Sequence, residues 1–196
     1  MNPPSGAISR FPVVELDAMA PDLQARIGVI AEKSGFVPNI FLALGHRPAE
    51  LRAFLDQHDA LMDRAAAPGE PGLTKAEREL VVVATSGANH CTYCVVAHGA
   101  ILRVRDHDPY ADQVALSPWS APLSPRRRAI VDLALALARE PERFTQQHLD
   151  TAAGAGLSTD ELWDVAAITA FFAMSNRLAA LMALEPNPEF SAMARG

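Results

Sequence analysis

The sequence predicts an all-α fold, on three observations. Helix-start and helix-stop residues recur along the whole chain. The apolar residues between them repeat at three- and four-residue spacing. No stretch shows the period-two alternation of a half-buried strand. The 196 residues are 49% hydrophobic and 20% charged, a composition that supports a single folded domain over residues 1–196 rather than a disordered chain. The formal net charge of −6 argues against nucleic acid as a partner. The basic run Arg126-Arg127-Arg128 is too short for a phosphate footprint and reads as a solvated helix face.

The elements follow in order. Residues 1–14 hold three prolines and read as extended. Residues 21–34 read as a helix, with Pro21 in the first turn and Gly35 as the stop. Residues 36–41 are a turn leading into a short apolar helical piece. Residues 48–64 place Leu51, Phe54, Leu55, His58, Leu61 and Met62 on one helical face, and residues 65–72 read as a loop. Thr74 opens the next helix through a capping box with Glu77, and Asn89 is the expected cap of the helix after it. Asp108-Pro109 starts a short helix, and residues 116–125 form a proline-rich loop. Ser124 caps an amphipathic helix at 125–139 through Ile130, Leu133, Ala134 and Leu137. Thr145 opens a short helix ending near Gly154 and Gly156. Ser158 and Glu161 form a second capping box before a long helix to about Leu184.

Residues 72–77 and 156–161 match at an offset of 84, and the apolar stretches after them correspond. The offset sets Cys91 on Ser175, Cys94 on Leu178 and His98 on Met182. The expected architecture is therefore two weakly similar helical halves. The first, about residues 73–104, holds the chemistry; the second, about 156–184, is degenerate.

That chemistry rests on the two cysteines, Cys91 and Cys94, spaced C-x-x-C, with His98 four residues further on. On a helix from 91 to 103 the three side chains share a face. Thiols at i and i+3 in a first turn can bridge, and helix N-terminal amides favour a thiolate there. A thiolate can take an oxygen from a peroxide, and the second thiol then closes a disulfide that a dithiol reductant reopens. Helix-end electrostatics favour Cys91 as the attacking sulfur, and proximity to His98 favours Cys94. Glu79 lies beside the apolar run 81–84, where a carboxylate needs a partner such as a histidine across the helix pair.

Two other readings use the same residues. A metal site would take Cys91, Cys94, His98 and either His90 or Glu79, but three ligands on one helical turn suit a tetrahedral ion poorly, so no metal or cofactor is expected. A non-redox enzyme or an interaction scaffold is the third reading. The N-terminus has no basic and apolar leader, and the apolar run 165–174 is short for a bilayer, so a cytoplasmic protein without a membrane partner is expected. In that compartment a C-x-x-C is more often catalytic or metal-binding than structural. The apolar content of residues 165–184 points to self-association.

The spacing E-x11-C-x2-C-x3-H, carried by Glu79, Cys91, Cys94 and His98, resembles the core of the alkylhydroperoxidase D-like proteins of the carboxymuconolactone decarboxylase superfamily. Residues 35–41, 46–48, 73–79 and 170–179 resemble its subgroup of uncharacterised peroxidase-related proteins, and the likeness runs over about residues 11–190. The resemblance implies an AhpD-like helical bundle and a thiol peroxidase or disulfide reductase of antioxidant type. It implies a small peroxide or disulfide substrate, a dithiol reductant and a homo-oligomer. It casts Cys94 as the attacking thiolate, Cys91 as the resolving thiol, His98 as the base and Glu79 as the group that orients it. Ser86 also matches the family core and can hydrogen-bond within this relay. Tyr93 departs from the family, which often has histidine there. A tyrosine hydroxyl ordinarily titrates near 10 and cannot carry protons at neutral pH as histidine does.

Overall fold

A computed structural model describes residues 7–64, 72–106 and 110–195. Over these residues the chain is built of helices and no strand is present. In order they are α1 (Pro21–Ser34), α2 (Asn39–Leu44), α3 (Pro48–Met62), α4 (Lys75–Ala88) and α5 (Thr92–Asp106). There follow α6 (Ala111–Leu116), α7 (Pro125–Arg139), α8 (Gln146–Gly154), α9 (Thr159–Met182) and α10 (Glu189–Ala192). The all-α expectation holds, and α1 starts and stops where Pro21 and Gly35 predict, Gly35 taking a left-handed φ of 84°. A single 3-10 turn, Pro118–Ser120, sits in the expected proline-rich loop. Residues 65–71 of the loop expected at 65–72, and the helix start expected at Asp108-Pro109, lie outside the described residues.

Helix α4 is the centre, with α5, α6, α7 and α9 packed around it. Every residue from Ala76 to Ser86 is buried, which is why its apolar run shows no polar face. Three successive charged residues are buried with it, and each is paired, as burial requires. The Arg78 guanidinium donates to Asp164 and to the Leu61 carbonyl, both at 2.7 Å. Glu77 takes Arg126, and Glu79 takes His98. Gly87 lets α6 approach closely, since a Cβ there would fall 2.3 Å from the Ala115 carbonyl oxygen.

Both capping boxes form. The Glu77 amide donates to Thr74 Oγ1 at 3.1 Å, and the Thr74 amide donates to the Glu77 carboxylate at 2.9 Å. The Ser158–Glu161 pair repeats this at 3.3 and 2.8 Å. Arg126 on α7 then bridges the two boxes, with Glu77 at 2.7 Å and Glu161 at 2.5 Å. The arginine run is therefore not a solvated face: Arg126 joins two helix starts, Arg127 pairs with Asp106, and Arg128 donates to the carbonyls of Pro118 and Ala121. Sequence pattern cannot distinguish these cases, because the carboxylates lie on other helices. Thr85 and Thr169, separated like the boxes by 84 residues, meet hydroxyl to hydroxyl at 3.5 Å where α4 crosses α9.

Candidate redox site

Helices α4 and α5 form a hairpin through Asn89, His90 and Cys91. His90 makes the reversal with a φ of 55°, a left-handed conformation that histidine tolerates better than most residues. The Cys91 amide donates back to the Ser86 carbonyl at 3.0 Å. Cys91 thus stands just before the first residue of α5 rather than inside the helix, and the Val95 amide donates to its carbonyl at 3.0 Å. Asn89 does not cap α5 as the sequence predicts. It closes α4, and its side-chain amide turns to α9, donating to Asn176 Oδ1 at 3.0 Å.

Both thiols are free and buried, Cys91 at 5% exposure and Cys94 at 2%. They are joined to each other. The hydrogen bond from Cys94, with the Tyr93 and Cys94 amides at the helix start and the Asn176 side chain, lowers the Cys91 thiol from 9.0 to about 7 against the cost of burial. Giving that bond, together with burial, holds the Cys94 thiol well above its ordinary value. Ionisation of the pair is therefore favoured at Cys91, with the proton kept on Cys94. A cavity of about 280 Å³ opens beside Cys91 and is lined also by His90, Tyr93, Ala179, Ala183 and Leu184. Cys94 does not line it.

The acid and the imidazole meet as the sequence predicts. His98 Nδ1 lies 2.8 Å from Glu79 Oε2, with side-chain exposures of 13% and 5%. The His98 ring packs edge-on against Phe172 at 4.8 Å, and Arg105 approaches the other Glu79 oxygen at 3.7 Å. With Nδ1 engaged by the carboxylate, Nε2 is the nitrogen left for proton traffic. Among the described residues no hydrogen bond runs directly from His98 to a sulfur, although Cys94 and His98 share a helix face. Tyr93 is pinned: its hydroxyl accepts from the Ile40 amide at 3.2 Å, tying α5 to α2, and burial pushes its ionisation far up. Among the described residues no three His, Cys, Asp or Glu side chains gather as metal ligands.

The carboxymuconolactone decarboxylase family profile matches residues 50–109. The chain is 48% identical to an uncharacterised peroxidase-related protein with an alkylhydroperoxidase AhpD core from Ralstonia eutropha JMP134, covering 98% of this chain and 99% of that one, with a TM-score of 0.92. The chain belongs to the carboxymuconolactone decarboxylase family. An uncharacterised peroxidase-related protein from Silicibacter sp. TM1040 is 31% identical over 97% of this chain and 100% of that one, with a TM-score of 0.85. The debrominase Bmp8 shares the fold at a TM-score of 0.73, with 21% identity and 97% of each chain covered. Among curated proteins none matches. The AhpD-like bundle is therefore this chain's fold, and family membership points to a peroxidase-related role.

Sequence reasoning missed Asn176, and this family member's site turns on it. Its Nδ2 donates to Ser86 Oγ at 3.1 Å, and its amide also reaches both sulfurs. The Ser175 hydroxyl adds a bond to Cys94. Both residues come from α9. A buried amide among the apolar residues of that helix, aligned by the repeat close to the cysteine helix, was the available signal. Asn176→Ala removes a donor to the thiolate. Alkylation of Cys91 by iodoacetamide should reach half its maximal rate near pH 7 in the parent, rising as the proton leaves, and about one pH unit higher in the variant. Identical alkylation profiles for the two proteins would remove this role.

Proposed function

We propose that this protein reduces hydroperoxides by a two-cysteine cycle. The observation that supports it best is the adjacent thiol pair, in which the sulfur that borders the cavity is the one whose ionisation is eased. The Cys91 thiolate attacks the peroxide; an S–O bond forms, the O–O bond breaks and an alkoxide leaves. The Cys94 proton, already directed at that point, goes to the alkoxide. The resulting Cys94 thiolate attacks the Cys91 sulfenic acid, forming the disulfide and expelling hydroxide. His98, held by Glu79, delivers the proton that makes this hydroxide water. Two electrons pass from the dithiol to the peroxide, and a dithiol reductant restores the pair by exchange at Cys91.

In this reading the order implied by the family resemblance is reversed. Cys91 attacks because it holds the charge and faces the cavity, while Cys94 resolves. A lactone decarboxylase, the activity that gives the family its name, has no need of two bonded thiols, so the pair favours redox chemistry. The cycle needs a reducing compartment, which agrees with a cytoplasmic location. Reduced protein should titrate as two thiols and, after stoichiometric peroxide, as none, with mass spectrometry locating a Cys91–Cys94 disulfide. A titre that stays at two removes the proposal.

A further inference from the structure

The cavity beside Cys91 carries one carboxylate and no side chain to balance it. Its volume of about 280 Å³ is at the small end of ligand sites. Tyr93, Ala179, Leu184 and Pro186 make its wall mostly apolar, with His90 and Thr92 on either side of the sulfur. Neither lysine nor arginine lines it, and Glu185 is its one acid. Glu185 is exposed, and among the described residues no cation pairs with it.

The backbone is built to hold Glu185 at this place. Ala183 ends α9 with a left-handed φ of 47°, and the three residues after it line the cavity with it. Both backbone groups of Glu185 are bonded. Its amide donates to the Ile8 carbonyl at 3.0 Å, and its carbonyl accepts from Asn39 Nδ2 at 2.9 Å. Asn39 is buried and is fixed in turn by Asn187, whose Oδ1 accepts from the Asn39 amide at 2.7 Å. Segments far apart in the chain thus anchor one residue at the approach to the sulfur.

We infer that Glu185 sets the charge of what reaches Cys91: uncharged hydroperoxides enter, and those that carry a carboxylate are turned away. The substrate class rests on the two-cysteine reading; the charge bias at the sulfur does not. A sphere of the cavity's volume is about 8 Å across, no more than the screening length of about 8 Å at physiological salt. Any anion inside it therefore feels Glu185 and, once ionised, Cys91. Repulsion by Glu185 at such a distance slows an anionic reagent by about three- to tenfold. The apolar wall meanwhile favours the hydrocarbon part of an uncharged substrate.

Matched alkylating agents test the bias without any turnover. Iodoacetate and iodoacetamide attack the same sulfur and differ by a carboxylate. The ratio of their rates at Cys91, iodoacetate over iodoacetamide, should rise about fivefold in Glu185→Gln and about 20-fold in Glu185→Lys. Glu185→Asp should keep the parent ratio. Taking the ratio cancels any change in how readily Cys91 ionises. Salt at about 1 M should narrow the gap between parent and variants. Circular dichroism of all three variants should match the parent, because the bonds that anchor Glu185 come from its backbone. The rate ratio for para-carboxycumene hydroperoxide over cumene hydroperoxide should shift in the same direction in Glu185→Gln. Equal alkylation ratios in the parent, Glu185→Gln and Glu185→Lys overturn the proposal. So does a shifted alkylation ratio with an unshifted hydroperoxide ratio. If the parent consumes neither hydroperoxide, the two-cysteine cycle fails instead, and alkylation alone decides what Glu185 does.

Discussion

Cys94→Ser is expected to stop turnover after one equivalent of peroxide, leaving a sulfenic acid on Cys91 that dimedone can trap. The serine hydroxyl can still donate to Cys91, so the thiolate keeps its partner and the first oxidation stays close to the parent rate. Without a second sulfur no disulfide forms and the cycle ends. Cys91→Ser should behave differently. Its remaining thiol lies out of contact with the cavity and is held protonated by burial, so the first oxidation should slow by roughly 10³-fold at neutral pH. Stopped-flow peroxide consumption by the two variants separates the roles. If Cys91→Ser reacts at the parent rate and Cys94→Ser does not, the attacking sulfur is Cys94 and the resemblance gives the right order.

The second large effect belongs to the acid–imidazole pair. His98→Gln should slow peroxide turnover by about 10²-fold. The glutamine amide can still donate to Glu79, so the buried carboxylate keeps a partner and the thermal midpoint should barely move. The solvent isotope effect on the resolving step should also shrink, a change that loss of a purely structural histidine does not cause. His98→Ala differs: among the described residues it leaves Glu79 only the more distant Arg105, and should cost about 1–3 kcal/mol of stability for an unsatisfied buried acceptor. Parent kinetics in His98→Gln would take the pair out of the mechanism.

Much of the site was legible in the sequence because its groups are close along the chain or tied by helical period. Cys94 and His98 lie on one helix with Cys91 just before its start, and Glu79 is one hairpin away. The capping boxes at Thr74 and Ser158 read directly, since they involve residues three apart. What was missed lies far off in sequence. Asn176 reaches the sulfurs from α9, and Asn89, which has the chemistry of a helix cap, is turned aside by it. The arginines of α7 were misread for the same reason, their carboxylates standing on α4 and α9.

The sequence by itself determined the helical class, most helix limits and the presence of a dithiol with an acid and an imidazole. Those follow from local energetics: capping hydrogen bonds, proline and glycine geometry, and apolar periodicity, each decided within a few residues. Only the tertiary structure decided which sulfur holds the charge and which faces the cavity. An ionisation depends on every donor and every burial around the group. For these sulfurs the bond from Cys94, the amides at the start of α5 and burial favour the thiolate on Cys91, a donor from α9 supports both, and the chain after α9 lines the cavity beside Cys91.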